Sequence, residues 1–180
     1  MNRAKWNVSA GAILLFALMY FFDGSGLVSA AIPAIAAHEL GHLLPLRLLH
    51  HPPRRVSVSL FGLEIDYAGR LEGRQAVFCL AAGPLCGLAY AVLSCTLGGA
   101  FWRMSGAVSF LLTAFNLLPI LPLDGGRLMA AVTDELFSKR LSRAAALILV
   151  LGGAGVFLLT HSLSLLLMGA WLTVCNFRTR

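Results

Sequence analysis

Long apolar runs dominate the chain, and short segments that carry most of the basic residues separate them. A membrane-spanning helix needs about 20 mainly apolar residues. The last run, Ala144 to Phe177, would be about 51 Å long as one helix, whereas the hydrocarbon core is about 30 Å thick. We therefore expect two spans there, with a turn near His161. The whole pattern predicts six membrane spans, at residues 6–22, 27–48, 76–100, 104–122, 144–160 and 162–177.

The longest polar connection, Arg47 to Arg74, has a different pattern. Apolar and polar residues alternate on both sides of Phe61 and Gly62, which is typical of a β-hairpin. We expect this hairpin at the cytoplasmic membrane surface, either as a simple connector or as an exposed strand edge that holds an extended substrate by β-addition. The alternating apolar positions are Val56, Val58, Leu60, Leu63, Ile65 and Tyr67.

These elements predict an all-α polytopic membrane protein with about six transmembrane helices and a small β-hairpin between helices two and three. Residues 1–180 are expected to form a single membrane-embedded domain. The composition agrees with this prediction, because 58% hydrophobic residues, 12% charged residues and a mean hydropathy of +0.82 give too much apolar surface for one soluble core.

The net charge of +6 is compatible with a nucleic-acid partner, but the positions of the basic residues favour a membrane explanation. With the N-terminus inside, thirteen of the fourteen Lys and Arg residues lie in cytoplasmic segments and only Arg103 lies outside, as the positive-inside rule requires. We expect a multi-pass protein of a bacterial cell membrane with both termini cytoplasmic and no nucleic-acid partner. An alternative is a signal peptide cleaved after Ala30, which would leave an odd number of spans.

The second predicted span contains the motif His38-Glu39-Leu40-Gly41-His42. Residues four apart lie on one face of a helix, so both imidazoles can reach one metal ion and Glu39 can act as general base on a water molecule. Ionisable residues within a span are costly and mark functional sites. The alternative is a pair of buried histidines bonded to backbone groups, beside a protonated carboxyl group.

A catalytic zinc needs three protein ligands and one open position, so a third ligand must come from another segment. Asp124 is the candidate, because it lies in a stretch rich in proline and glycine, Asn116 to Gly126, whose irregular backbone needs a protein-lined or wet cavity at membrane depth. The simpler alternative is a helix-capping aspartate. Asn116, two turns before Asp124 if the segment is helical, is expected either to donate to the oxyanion or substrate or to link two helices.

The other residues of metal-binding type are expected to have structural roles. His50 and His51 lie in a basic loop and should face solvent or headgroups, while His161 belongs to the predicted turn. The four cysteines lie in apolar runs without CxxC spacing and are expected to be small packing residues. One Zn2+ per chain is therefore the predicted cofactor.

Three segments make the sequence resemble the site-2 proteases, a family of intramembrane zinc metalloproteases. Within that family the chain is most similar to the compact sporulation group that processes a pro-sigma factor, and no PDZ or CBS domain is expected. It departs from many relatives at Gly87, where they carry an asparagine, which leaves one substrate-binding contact open. The segments that carry the resemblance are residues 38–42, Ala81-Ala82-Gly83-Pro84, and residues 116–126 with their Pro-Leu-Asp-Gly-Gly ending.

The resemblance implies regulated intramembrane proteolysis, with zinc held by the positions that match His38, His42 and Asp124. The expected partners are the lipid bilayer, a membrane-anchored protein substrate such as a pro-sigma or anti-sigma factor, and a regulatory membrane protein. Two other functions stay open: a metal or proton transporter in which these side chains and Glu39 line an ion path, and a non-catalytic zinc-binding membrane protein. Inverted repeats would favour the transporter, and none is apparent.

Overall fold

The computed structural model describes residues 5–59, 62–67, 69, 71 and 73–178. Within these residues the chain is mainly helical and carries a small three-stranded sheet. At this level the predicted class, a helical protein with a small β element, is confirmed. The strands are β1 (Lys5–Val8), β2 (Pro53–Ser59) and β3 (Gly62–Tyr67), and the helices are α1 (Ala10–Phe22), α2 (Leu27–Leu48), α3 (Arg74–Leu97), α4 (Ala100–Asn116), α5 (Asp124–Val132), α6 (Glu135–Thr160) and α7 (Ser164–Arg178).

Three of these helices, α2, α3 and α6, are long and apolar enough to cross a membrane, and α1 and α7 are shorter apolar helices. Many large apolar side chains on them face outward, as lipid contact requires and a soluble protein could not tolerate. The chain is therefore an integral membrane protein. The number of six spans and the cytoplasmic location of the termini stay predictions.

Several helices begin or end away from the predicted span limits. Residues 6–8, predicted to open the first span, form part of strand β1, because they pair with β2. The span predicted at residues 104–122 corresponds to a helix that ends at Asn116, and residues 117–123 are irregular. Two prolines in this segment lack the N–H group that a continuing helix needs. Helix α6 begins at Glu135, well before residue 144.

The sheet has the strand order β1-β2-β3. Strands β2 and β3 are antiparallel, with Val56 opposite Ile65, as expected for the predicted hairpin. Leu60 and Phe61, at its predicted centre, lie outside the described residues. Strand β1 was not predicted and pairs in parallel with β2. The outer edge of β3 carries no partner strand within the described part of the chain, so this edge has the form that β-addition requires.

Internal contacts divide the chain into two compact units, Met1–Thr113 and Ala114–Arg180. In the first unit, small residues bring α2, α3 and α4 close together. The Ser105 hydroxyl donates to the Ala30 carbonyl at 2.7 Å, and the Ser109 hydroxyl donates to the Gly87 carbonyl at 2.9 Å. Such short side chains permit close helix approach in a membrane, where apolar surface alone does not drive association.

In the second unit, α6 and α7 form an antiparallel hairpin whose turn begins at His161. A Cβ atom on Gly153 would lie 2.8 Å from the Leu166 Cα, so the glycine allows close backbone contact. The buried centre of this unit consists of Ile120, Ala146 and Leu172. The irregular segment at residues 117–123 therefore packs against both helices.

Candidate metal centre

Helix α2, which carries the HELGH motif, begins at a defined hydrogen-bonded turn. The Asp23 carboxylate accepts from the Val28 N–H at 2.7 Å, the Ser25 N–H at 3.0 Å and the Ser25 hydroxyl at 2.6 Å. The hydrogen bond from the Ser25 side chain, followed by that from the Val28 backbone, lowers the pKa of Asp23 from 3.8 to about 2. This turn satisfies N–H groups at the helix start, where Gly26 offers no side chain.

His38 and His42 lie one turn apart on α2, and their ring nitrogens converge. The two Nε2 atoms are 3.4 Å apart and the ring centroids 5.0 Å apart. Two nitrogens bound at about 2.0–2.1 Å to a tetrahedral zinc ion would be about 3.3 Å apart. The pair therefore has the spacing of two ligands of one ion. His38 is buried and His42 half-buried, so water competes little for these nitrogens.

The carbonyl group of Cys79 sets the protonation of the His42 ring. His42 Nδ1 lies 2.9 Å from the Cys79 carbonyl oxygen, which can only accept a hydrogen bond. Nδ1 therefore carries the proton, and Nε2 keeps its lone pair for a metal ion. A backbone carbonyl that orients a histidine in this way is a regular feature of zinc sites.

Gly83 on α3 makes room for the same ring. A Cβ atom on Gly83 would lie 2.0 Å from His42 Nε2, and one on Gly41 would lie 2.6 Å from the Ala82 carbonyl oxygen. No other residue type leaves this space, because every other side chain begins with a Cβ atom. Gly83, within the Ala81-Ala82-Gly83-Pro84 segment, is therefore needed to accommodate the His42 ring in this position.

Asp124 is the first residue of α5 and is half-buried. The segment before it is closed by two short backbone hydrogen bonds, from Ile120 N–H to the Leu118 carbonyl at 2.7 Å and from Leu123 N–H to the Ile120 carbonyl at 2.8 Å. A Cβ atom on Gly125 would lie 2.2 Å from the Leu117 carbonyl oxygen. The start of α5 therefore lies directly on the segment that leads to it.

His38, His42 and Asp124 each offer one ligand atom, and these atoms all lie within 4.8 Å of one another. The set comprises two imidazole nitrogens and one carboxylate oxygen, which are ligands that zinc accepts. Three protein ligands leave the fourth tetrahedral position open, as in catalytic rather than structural zinc sites. The residues present therefore fit a zinc ion.

Two further residues were predicted to belong to the site, Glu39 and Asn116. Glu39 is half-buried on α2 between the two histidines, and Asn116 is the half-buried last residue of α4. The condition that the segment from Asn116 to Asp124 is helical is not met, because α4 ends at Asn116 itself. Among the described residues, His50, His51 and His161 do not belong to the ligand group.

Thr113 was missed by the sequence analysis. It is fully buried on α4, and a Cβ atom on Gly87 would lie 2.3 Å from its hydroxyl oxygen and 3.4 Å from His38 Nδ1. Gly87 and Thr113 thus share the space beside the first histidine. The sequence analysis noted Gly87 as a departure from many relatives, and this departure indicates an unusual contact at that position. It does not identify Thr113 as the neighbouring residue.

A sequence model of peptidase family M50 matches residues 98–160. This region contains Asn116 and Asp124 but not the HELGH motif. The chain is also similar to the putative zinc metalloprotease Rip3 of Mycobacterium tuberculosis, in strains Erdman and H37Rv, with 32% identity over 165 residues. That similarity covers 78% of this chain, and the chain spans 42% of the length of these relatives.

Among solved structures, the site-2 protease from Methanocaldococcus jannaschii has a similar fold. The TM-score is 0.71, and the match covers 96% of this chain and 89% of that one. The sequence identity of 17% makes this a likeness of fold alone.

Proposed function

We propose that this chain is a member of peptidase family M50 and acts as a membrane-embedded zinc endopeptidase that hydrolyses a peptide bond of a membrane-associated protein. One observation carries the proposal: His38, His42 and Asp124 present their ligand atoms within 4.8 Å of one another. The Nδ1 proton of His42, held by the Cys79 carbonyl, adds to it, since it leaves the correct nitrogen for a metal.

The metal ligands in this proposal are Nε2 of His38, Nε2 of His42 and the carboxylate of Asp124. A bound zinc ion would polarise the scissile carbonyl and make a water molecule acidic enough to ionise near neutral pH. The position of zinc between two half-buried residues and one buried residue would strengthen its electrostatic effect, because little water screens it.

Glu39 acts as general base and then as general acid. It takes a proton from the attacking water, whose oxygen adds to the scissile carbonyl carbon. When the carbon–nitrogen bond breaks, Glu39 passes this proton to the leaving amine. Asn116 donates a hydrogen bond from its amide to the oxygen that becomes negative during the addition.

The substrate enters as an extended strand. Carbonyl groups within a helix are hydrogen-bonded and shielded, so a transmembrane substrate must unwind before its backbone can react. The outer edge of β3 offers backbone groups for pairing with such a strand. In its most specific form, the proposal includes a pro-sigma or anti-sigma factor as substrate, a regulatory membrane partner and a role in sporulation.

Co-expression with a membrane-anchored candidate substrate tests the proposal. The Glu39→Gln variant should bind zinc like the wild type, measured by metal analysis of the purified protein, and should release no cleavage product. His38→Ala, His42→Ala and Asp124→Ala should lose both zinc and cleavage. Undiminished cleavage by Glu39→Gln would contradict the assigned base, and metal or proton flux in vesicles without cleavage would support a transporter instead.

A further inference from the structure

The backbone just before Asp124 is bound by two polar side chains from α6 and α7. The Leu121 N–H donates to the Ser142 hydroxyl oxygen at 2.8 Å. The Ser142 hydroxyl in turn donates to the Asn176 Oδ1 atom. The Asn176 amide nitrogen donates back to the Leu121 carbonyl oxygen. The three residues thus close a ring of hydrogen bonds that holds both the N–H and the C=O group of Leu121.

This ring is buried. Ser142 is 0% exposed and Asn176 is 4% exposed. The second amide hydrogen of Asn176 is also used, since Nδ2 donates to the Leu172 carbonyl at 3.1 Å. Buried polar groups are costly unless hydrogen-bonded, and a satisfied buried network selects one conformation. The ring therefore fixes the position of the Leu121 backbone more firmly than apolar packing would.

The position of the Leu121 backbone determines the position of Asp124. Only two residues lie between them, and Leu123 N–H is bonded to the Ile120 carbonyl at 2.8 Å. A Cβ atom on Gly126 would lie 2.5 Å from the Ile120 carbonyl carbon, so the first turn of α5 rests against the backbone beside Leu121. A displacement of Leu121 would displace the carboxylate that follows.

We infer that Ser142 and Asn176 are positioning residues that hold the carboxylate of Asp124 where it can bind zinc. This inference rests on the proposed function. Helices α6 and α7 carry none of the grouped ligands among the described residues, but through Ser142 and Asn176 they hold the backbone of the segment that carries Asp124. Partners behind a metal ligand typically change the metal affinity by about 10–100-fold when they are removed.

The test measures zinc affinity in purified, metal-stripped protein in detergent, by competition with a chelating dye. Ser142→Ala and Asn176→Ala should each weaken zinc binding by about 10–100-fold. The visible spectrum of the Co2+-loaded protein should also change, because the Asp124 carboxylate would no longer be held in its wild-type position as a ligand. Ser142→Thr keeps the hydroxyl group and should retain most of the affinity.

Two matched controls separate positioning from general stability. Ser138 lies one turn before Ser142 on α6, is 1% exposed, and its hydroxyl has no hydrogen-bond partner within the described residues. Thr173 on α7 donates to the Gly169 carbonyl of its own helix at 2.8 Å. Ser138→Ala and Thr173→Ala should leave zinc affinity and the Co2+ spectrum unchanged.

A merely structural role would lower the melting temperature of Ser142→Ala and Asn176→Ala but leave their zinc affinity and Co2+ spectrum as in the wild type, and this result would overturn the inference. If a single variant does not fold, the double variant Ser142→Ala/Asn176→Leu decides, because it leaves no buried side-chain amide without a partner. If wild type and Asp124→Ala bind zinc equally, Asp124 is not a zinc ligand and the proposed function itself is contradicted. If Asp124→Ala loses zinc affinity but Ser142→Ala and Asn176→Ala do not, only the positioning role of Ser142 and Asn176 is contradicted.

Discussion

His42 Nδ1 lies 2.9 Å from the carbonyl oxygen of Cys79, so a backbone group of α3 determines which ring nitrogen on α2 is available. The same helix supplies Gly83, whose missing side chain leaves room for the other side of the ring. Among the described residues, helix α3 contributes none of the grouped ligands, yet it holds one of the two histidines in its binding orientation. The metal centre therefore depends on the close contact of these two helices.

Gly83→Ala should weaken zinc binding at least about tenfold, because the added Cβ would lie 2.0 Å from His42 Nε2 and must move the ring. Zinc competition in detergent measures this loss. Gly155→Ala is the matched control, since a Cβ atom there meets nothing within 4 Å and alanine favours a helix by roughly 0.5–1 kcal/mol over glycine. Wild-type zinc affinity in Gly83→Ala would show that the ring tolerates the contact.

Gly87→Asn, which introduces the residue common in the resembling family, should destabilise this chain. The new Cβ would lie 2.3 Å from the Thr113 hydroxyl oxygen but 3.7 Å from the Thr113 Cβ, so Thr113→Ala should relieve the contact. Thr113→Ala alone should cost little, because this hydroxyl has no hydrogen-bond partner among the described residues. A double-mutant cycle of melting curves should give a favourable coupling of about 0.5–3 kcal/mol, and additive effects would exclude the contact as the cause.

Zinc should raise the melting temperature of the metal-stripped wild type. A ligand that binds only the folded state stabilises it by about 2.7 kcal/mol at a free concentration of 100 times the dissociation constant. Asp124→Ala should show little or no shift at the same zinc concentration, since one of the three grouped ligands is missing. An equal shift in both proteins would mean that zinc binds elsewhere.

Asp23 should stabilise the start of α2 in a pH-dependent manner. Its pKa in the folded chain is lowered from 3.8 to about 2, so the stabilisation is complete above about pH 5 and is lost as the pH falls from about 5 to about 2. The difference in melting temperature between wild type and Asp23→Ala should shrink over this interval and stay constant above it.

Asp134→Ala is the control for this measurement. Asp134 precedes α6 but makes no capping hydrogen bond through its side chain within the described part of the chain, so its removal should cost less stability at neutral pH than removal of Asp23. If the difference between wild type and Asp23→Ala is the same at pH 2 and pH 6, the carboxylate does not stabilise the turn.

The sequence by itself determined the apolar helices, the placement of both histidines on one helical face, and the irregular backbone before Asp124. These features are local. They depend on hydrophobic run length, on the helical repeat and on the absence of an N–H group in proline, all of which can be read from neighbouring residues. The hairpin of β2 and β3 is local for the same reason.

Only the tertiary structure decided which groups support these residues. Strand β1 pairs with β2, which lies some fifty residues later in the chain. The sequence alone could therefore not distinguish residues 6–8 from the apolar helix that follows them. The bond from His42 goes to a main-chain carbonyl, which every residue possesses and no motif can mark. The ring of Leu121, Ser142 and Asn176 joins three distant segments, and such long-range contacts arise from how the helices pack, which a local pattern does not encode.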